Sequence, residues 1–415
     1  MSLASLPTTH PLAALSSRSF RLFWAGSTVS VTGTAMRQAA IAWQVYLLTH
    51  SPVALGVMGV VRVIPIVILS IFGGVLADVV YRRTLLIVTQ ITFVAVSLAL
   101  GLTTLTGTIN LPLIYILSAI GAATVAFDNP ARGALIPSLV PPERLTNAFS
   151  LNSTAFEVAF VAGPGVAGVI IAAGGVADVY FIDAASYLAV LIVLFVIHIP
   201  RVEAAIQTVS LRAAAEGLRF VFRTPILSST MGLDFVATFF GSATTLLPIF
   251  AGSVLHVGAT GYGILYAAPS VGAIGAGVYM AWRGRRIHRQ GVVIVVSVLI
   301  YAGFTVLFGL SHLFLLSLVA LAGVGASDSI SMILRQTIRQ LSTPDAMRGR
   351  MTSVSMIFYM GGPQLGELEA GLVAREIGAP WSVAAGGLAA LLAATLIALK
   401  APRLLRHRRD DLESG

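Results

Sequence analysis

The chain has 415 residues, of which 57% are hydrophobic and 10% are charged, with a net charge of +9 and a mean hydropathy of +0.91. Soluble domains carry about 25% charged residues, so this composition excludes a soluble globular protein and indicates a chain surrounded by lipid. The positive charge does not predict a nucleic-acid partner, because the basic residues are spread over short loops between apolar runs.

Six apolar runs follow a polar N-terminal segment in the first half of the chain. A helix needs about 20 apolar residues to cross about 30 Å of hydrocarbon, so each run predicts a membrane-spanning helix. The six runs are about Phe20–Leu47, Ala54–Ala77, Leu85–Leu105, Leu111–Ala126, Ala148–Ala173 and Val179–Ile199.

The stretch 201–224 interrupts this pattern with charges that alternate with Leu211, Leu218 and Phe220. It predicts an amphipathic helix lying along the membrane surface. Six more runs follow, at about Leu227–Ser253, Tyr262–Trp282, Val292–Leu310, Phe314–Leu334, Met351–Ala374 and Pro380–Leu399. The sequence therefore predicts an all-α integral membrane protein with twelve transmembrane helices. We divide it into an N-terminal six-helix half (1–200), a cytoplasmic linker (201–224) and a C-terminal six-helix half with a basic cytoplasmic tail (225–415).

The basic residues determine the predicted orientation. With both termini in the cytoplasm, every lysine and arginine except Arg37, Arg62 and Arg375 lies on the inner side of the membrane. Short loops rich in Lys and Arg stay in the cytoplasm, so the sequence predicts cytoplasmic termini.

The two halves are related in sequence. The pattern of Gly74–Arg83 returns in Gly277–Arg286 at an offset of 203 positions, and Gly163-Pro164 returns as Gly362-Pro363 at an offset of 199. Both pairs fall at equivalent points of the predicted topology. The chain is therefore expected to form two pseudo-symmetric bundles that rock about a central cavity, as secondary transporters do.

Charged side chains inside the spans are the candidates for chemistry, because each costs about 2.5–3.5 kcal/mol on insertion scales and needs a cavity or a partner. Acids outnumber arginines among them, so we expect some acids to hold a proton and to exchange it near neutral pH. The intramembrane charges are Arg37, Arg62, Glu157, Asp183, Asp234, Asp328, Glu367 and Glu369.

Two interpretations stay open for Glu157, which lies six residues before Gly163. It is either a proton carrier or a site for a cationic substrate, or else a structural partner of Arg37 or Arg62. Asp234 allows the same division between function and structure. For Asp183, near the outer end of its span, a solvated or capping carboxylate is the favoured interpretation.

The acids of the last spans are interpreted from their spacing. Asp328 either lines a cavity or pairs with Arg335, two turns away on the same helix face. Glu367 and Glu369 point about 200° apart on a helix, so both cannot face a cavity. We expect Glu367 to face inward.

The loop at Gly74–Arg83 resembles the signature loop between helices 2 and 3 of the major facilitator superfamily. Val79 and Tyr81 replace the usual Arg and Gly, so one charge of the family's cytoplasmic gating network is missing. The resemblance implies gating roles at this loop. The matching residues are Gly74, Leu76, Ala77, Asp78, Arg82 and Arg83.

The segment from Gly163 to Gly168 resembles the helix-5 motif typical of the antiporters of this superfamily. Pro164 removes a backbone hydrogen bond and kinks the helix, and the small residues are expected to pack closely against the opposite half. The stretches 128–132, 139–145 and 364–371 resemble a branch of siderophore exporters and macrolide efflux proteins. The resemblance implies a monomeric, proton-driven exporter of a bulky, drug- or siderophore-like amphiphile in a bacterial cytoplasmic membrane, with substrate, protons and lipid as its partners.

Two other function classes are weighed against export. Uptake or facilitated diffusion of a small metabolite would need a more polar cavity, which Gln38, Gln90, Asn152 and Gln364 could supply. An intramembrane enzyme or a receptor lacks support, because the chain has no cysteine, no His-Glu-x-x-His and no Gly-x-Ser-x-Gly. The only lysine, Lys400, excludes a Walker A loop, and we expect no metal and no cofactor.

Overall fold

The computed structural model describes residues 12–79, 81–197, 219–343, 348–401 and 404–405, with the backbone alone over 70–79, 348–350 and 352–360 and at residues 243 and 285. The regular elements in this part of the chain are all helices, as the sequence predicts. The predicted surface helix over 201–224 lies outside the described residues up to position 218.

The first half contains six long helices, with 3-10 turns at Ala13–Ser16 and Pro142–Arg144. Asn110 caps the fourth helix, because its side chain accepts a hydrogen bond from the Leu113 amide at 3.0 Å. Gly175 separates the last two helices with a φ of 112°, a conformation that favours glycine. The helices are α1 (Arg18–Thr49), α2 (Pro52–Val79), α3 (Arg82–Leu105), α4 (Leu111–Leu139), α5 (Leu145–Ala173) and α6 (Val176–Val196).

The second half repeats this succession of long helices. They are α7 (Pro225–Phe240), α8 (Gly258–Arg283), α9 (Gln290–Leu310), α10 (Phe314–Leu341), α11 (Arg348–Ile377) and α12 (Ala379–Lys400).

Most predicted spans lie within about four residues of the observed helices, although α10 continues from its predicted end at Leu334 to Leu341. Two further spans differ more. The fourth run was expected to end at Ala126, but α4 continues to Leu139 with Pro130 and Pro137 inside it. The seventh run was expected to be continuous, but α7 ends at Phe240, and 3-10, α and π turns carry the chain on to Val254. In α4, charged residues end the apolar pattern although the helix continues. In the seventh run, the helix ends inside a stretch that is apolar throughout, so the sequence pattern does not mark the end.

Ten segments are long and apolar enough to cross a membrane, counted over the described residues. α1 and α11 are not among these ten. α1 buries polar side chains such as Ser30, Arg37 and Gln44, which lower its hydropathy although they lie inside the protein.

The chain forms two compact units, Met1–Leu48 with Val61–Val209 and Thr49–Val60 with Ser210–Gly415. In the first unit α3 packs against α4 and α6, and in the second unit α9 packs against α10 and α12. Helices six places apart in the order thus have matching neighbours. This agrees with the predicted duplication.

Candidate functional site

The second unit contains a cluster of two acids and two arginines on α7 and α10. Nη2 of Arg335 lies 2.8 Å from Oδ1 of Asp234 and 3.4 Å from Oδ1 of Asp328. Nη1 of Arg339 lies 3.6 Å from Oδ2 of Asp234. One guanidinium nitrogen is therefore shared between two carboxylates from different helices, and the four formal charges of the cluster cancel.

Burial divides this cluster into inner and outer members. The side chain of Arg335 is 1% exposed and that of Asp234 is 7% exposed, whereas 39% of the Asp328 side chain is exposed. Nε and Nη1 of Arg335 are buried and have no hydrogen-bond partner among the described residues. Asp328 is thus the member of the cluster that water and protons can reach.

The first unit contains a different buried ion pair, between α1 and α6. Nε of Arg37 lies 2.8 Å from Oδ2 of Asp183, and the two side chains are 6% and 0% exposed. Ser97 of α3 donates to Oδ2 of Asp183 at 2.5 Å, and Nη2 of Arg37 donates to the Tyr187 hydroxyl at 3.3 Å. The Arg37 guanidinium also lies 5.8 Å from the ring centre of Phe93. The partners named here for the pair all belong to the first unit.

These contacts correct the interpretation of Asp183. It was expected to be solvated or to cap its helix, but it is completely buried and paired with Arg37. The position of Asp183 near the end of an apolar run predicted contact with solvent. The sequence alone does not show that a neighbouring helix covers this position. Arg37 is therefore paired with Asp183 and not with Glu157.

A third charged network surrounds Asp128 and Arg132 of α4, which were not among the predicted site residues. Nε of Arg132 lies 2.5 Å from Oδ2 of Asp128, one turn earlier on the helix. Thr89 and Gln90 of α3 each donate to Oδ1 of Asp128 at 2.7 Å. Arg132 also donates to Ser27 of α1 at 3.0 Å and to Gln90 at 3.1 Å. The one signal that could have revealed the network is the one-turn spacing of an acid and an arginine.

Glu157 has a different environment from these buried acids. It lies on α5 in an exposed position and makes no ion pair with any described residue. Ala155 and Ala159 on either side of it are buried. Glu157 is therefore not a member of the three charge clusters described above.

The glycine-proline pair of α5 packs inside the first unit. A Cβ atom placed on Gly163 would lie 2.7 Å from Cβ of Ala35 and 3.0 Å from the Thr32 carbonyl oxygen, both on α1. Gly163 was expected to pack against the opposite half, and this prediction is wrong, because its close neighbour is a helix of its own unit. Pro164 and Gly168 are buried in the same helix.

The remaining predicted site residues have varied surroundings. Arg62 of α2 is half-buried. Glu367 of α11 is also half-buried, and a Cβ atom on Gly59 would lie 2.8 Å from its Oε2. Glu367 thus lies against α2, and the inward orientation of Glu367 stays a prediction. Glu369 is half-buried as well.

The predicted gating loop is described only in part. The side chain of Asp78 lies outside the described residues, as does any detail at Gly74 beyond the backbone of α2. Arg82 donates to the Ala134 carbonyl at 3.0 Å and Arg83 donates to the Phe195 carbonyl at 3.3 Å. The gating roles remain predictions.

No group of three or more His, Asp or Glu side chains that could hold a metal ion occurs among the described residues. The chemistry of the described part rests on carboxylates, guanidiniums, hydroxyls and aromatic rings.

Helices long enough to span a membrane, matching packing in two units and ion pairs buried among apolar helices define a membrane transporter. The chain belongs to the family of transmembrane secretion effectors in the major facilitator superfamily, which matches residues 9–414. It is a multi-pass transporter of the bacterial cytoplasmic membrane and not an enzyme.

Relatives and solved structures agree with this assignment. The enterobactin exporter EntS of Shigella boydii serotype 18 is 27% identical over 410 residues, which cover 98% of this chain and 95% of the relative. The crystal structure of a bacterial homologue of the human lysosomal transporter Spinster has a TM-score of 0.73 at 14% identity, with coverage of 94% and 97%. The bacterial homologue of the iron transporter ferroportin has a TM-score of 0.72 at 16% identity, with coverage of 94% and 99%. At these identities the two structures show the shared fold alone.

Proposed function

We propose that the chain is a proton antiporter that exports a bulky, siderophore-like amphiphile by alternating access. In this proposal it works as a monomer with twelve spans, and both termini lie in the cytoplasm. The halves 1–200 and 225–415 are joined by the linker 201–224 and move during the transport cycle. The chain belongs to a secretion family along nearly its whole length, which supports export over uptake.

The proposed topology is supported by charge and by helix length. Only Arg37, Arg62 and Arg375 fall outside the predicted cytoplasmic side, and Arg37 has a buried partner. α1 and α11 contain 32 and 30 residues, so each is long enough to span the membrane alongside the ten apolar segments.

The proposed coupling mechanism rests on one observation, which is that the Arg335 guanidinium is shared between Asp234 and Asp328. Asp234 holds Arg335 at 2.8 Å from a buried position, and Asp328 lies at 3.4 Å with 39% of its side chain exposed. A proton can therefore neutralise Asp328 while Asp234 continues to compensate the buried arginine. If Asp234 were neutralised instead, the buried Arg335 would be compensated only by Asp328, which is farther away and more exposed to solvent. We assign the transported proton to Asp328.

Protonation of Asp328 changes the charge balance of the cluster. With Asp328 ionised the two acids balance Arg335 and Arg339, whereas with Asp328 neutral one positive charge is left over. Neutral Asp328 no longer repels Asp234 or competes for Arg335, so the net attraction of α10 for α7 increases. A change in the packing of two helices that follows one proton is the type of step that couples proton movement to alternating access.

The substrate class is inferred from relatives. Exporters named for enterobactin match 98% of this chain at 27% identity, which supports a siderophore-like molecule. The fold alone does not select a substrate, since the same fold serves many.

The proposal is tested by measuring proton movement in proteoliposomes that contain a pH dye. We expect an imposed gradient of a catecholate siderophore to drive proton movement in the opposite direction through the unaltered protein. Asp328→Asn should abolish this proton movement and leave substrate able to move down its own gradient. Asp178→Asn is the matched control, because it makes the same chemical change at an exposed acid in the first turn of α6.

The outcomes separate the transport classes. Substrate movement without any proton movement in the unaltered protein would replace antiport with facilitated diffusion. Proton movement that survives in Asp328→Asn would move the proton site elsewhere, with Glu157 as the next acid to substitute.

A further inference from the structure

The N-terminal half of α5 carries an exposed strip of polar side chains that do not belong to the charge clusters. Ser150, Ser153, Thr154 and Glu157 are all exposed, and they are spaced three and four residues apart along the helix. This spacing places them on one face. The opposite face is buried through residues such as Ala155. We name these four residues the α5 strip.

The α5 strip cannot face lipid at low cost. A carboxylate in hydrocarbon costs about 2.5–3.5 kcal/mol on insertion scales, and intramembrane acids therefore face a partner or water. Glu157 has no ion-pair partner among the described residues. The strip therefore faces an aqueous path, where it can meet a dissolved ligand.

Two of the three hydroxyls of the strip have their protons engaged, so the strip offers mainly hydrogen-bond acceptors. The Ser150 hydroxyl donates to the Thr146 carbonyl at 2.9 Å, and the Thr154 hydroxyl donates to the Ser150 carbonyl at 2.9 Å. Their protons are thereby used, and their oxygen lone pairs point outward with the two oxygens of Glu157. A ligand that matches this face must bring donors.

An aromatic pair borders the strip. The rings of Phe156 and Phe160 have centroids 4.6 Å apart, and Phe156 is 49% exposed. Phe149, about two turns before Phe156, is 43% exposed. An aromatic ring of a ligand can pack on this edge while its polar groups reach the strip.

We propose that the α5 strip and Phe156 form a substrate-binding surface for an aromatic ring that carries O–H or N–H donors. A phenolic or catecholic ring and an aromatic ammonium share this chemistry. Anions without donors are disfavoured, because they would lie against a carboxylate and outward lone pairs. The inference deepens the proposed export function, but it assigns Glu157 to the substrate and leaves the proton to Asp328.

The test is equilibrium binding to the full-length protein in lipid nanodiscs with three probes. The first is a bis-catechol amide, the second is its fully O-methylated ether, and the third is ethidium, an aromatic cation with amino groups. O-methylation removes the donors and keeps the rings, so we expect the ether to bind at least tenfold more weakly than the catechol. This comparison uses the unaltered protein and does not depend on the folding of any variant.

Substitutions then locate the surface. Phe156→Leu should weaken the catechol amide and ethidium by about two- to tenfold, since it removes the aromatic contact. Glu157→Gln should weaken the catechol amide by about two- to tenfold through the loss of a charged acceptor, and should weaken ethidium more strongly. Val169→Ala is the matched control, because Val169 is also exposed on α5 but lies beyond the strip, and its binding should be unchanged.

The outcomes decide the proposal. A loss confined to ethidium in the strip variants supports it and identifies the donor as an ammonium, and a loss confined to the catechol amide identifies it as a hydroxyl. Unchanged binding of all probes in Phe156→Leu and Glu157→Gln overturns it, and so does equal binding of the catechol and its ether when the two substitutions also leave ethidium binding unchanged. In that case substrate-driven proton movement that depends on Asp328 would still support antiport, so the two proposals can fail separately.

Discussion

The two units place an acid and an arginine on equivalent helices in different ways. In the first unit Asp128 and Arg132 of α4 are four residues apart, and side chains from α1 and α3 complete their hydrogen bonds. In the second unit Asp328 and Arg335 of α10 are seven residues apart, and Arg335 turns mainly to Asp234 of α7. Asp128 and Asp328 are separated by 200 positions, which agrees with the offsets of the repeated motifs.

This difference distinguishes a static network from one that can change. Asp128 is 7% exposed at its side chain and accepts from three groups, so a proton would have to displace hydrogen bonds that are already made. Asp328 is 39% exposed and has one long contact, so a proton displaces little. The two helices carry the same residue types, and under the proposed antiport the acid with fewer hydrogen bonds, Asp328, is the one expected to exchange the proton.

The largest effect is expected where burial is complete. Asp183→Ala leaves the Arg37 guanidinium buried without its acid, and breaking a buried pair in this way costs about 3–5 kcal/mol. We expect the free energy of unfolding, measured by titration with SDS in mixed micelles, to fall by about this amount.

The control for this prediction removes both charges. The double variant Arg37→Met with Asp183→Leu should recover most of the lost stability, because no uncompensated charge is left. If Asp183→Ala unfolds at the same SDS fraction as the unaltered protein, the buried pair does not hold the first unit together.

The partners in these ion pairs were only partly predictable from the sequence. The pairing of Asp328 with Arg335 was among the predictions, because both lie on one helix and the spacing of two turns is fixed by helix geometry. The partners of Arg37 and Asp234 come from other helices, and no spacing in the sequence reveals which helix faces meet.

The bounds of the helices were likewise predictable only in part. Most spans were predicted because a membrane helix needs an apolar run of fixed length. α4 extends beyond its apolar run because Thr89, Gln90 and Ser27 satisfy the charges that seemed to end it. Tertiary partners of this kind make charged residues acceptable inside a helix, and a hydropathy pattern does not record them.

An intermediate effect should separate the two equivalent acids. Asp128→Asn weakens charge-assisted hydrogen bonds in a buried network and should cost about 1.5–3 kcal/mol of unfolding free energy. Asp328→Asn removes one long, half-exposed contact and should cost less than about 1 kcal/mol. The same SDS titration measures both variants.

Proton transport is the second measurement that compares Asp128→Asn with Asp328→Asn. Asp128→Asn should keep substrate-driven proton movement in proteoliposomes for the fraction of protein that is folded, whereas Asp328→Asn should lose it. The reverse pattern, with stability lost at Asp328 and coupling lost at Asp128, would show that the static and changeable networks had been assigned to the wrong halves.

The smallest difference between the halves is expected at the repeated glycine-proline pairs. A methyl group on Gly163 would meet Cβ of Ala35 at 2.7 Å and backbone atoms of α1, which cannot turn away. A methyl group on Gly362 would meet the Thr238 hydroxyl at 2.7 Å, and that side chain can change rotamer. Gly163→Ala should therefore cost about 1–3 kcal/mol of unfolding free energy, and Gly362→Ala should cost less.

Gly165→Ala is the control within the same turn of α5. No atom lies within 4 Å of a Cβ at Gly165, so alanine gains helix propensity there and should stabilise the protein by about 0.5–1 kcal/mol. Equal costs at Gly163 and Gly362 would mean that α11 is held against α7 as rigidly as α5 is held against α1. The difference between the two halves would then lie in the charges of α4 and α10 alone, and not in the stiffness of the helices around them.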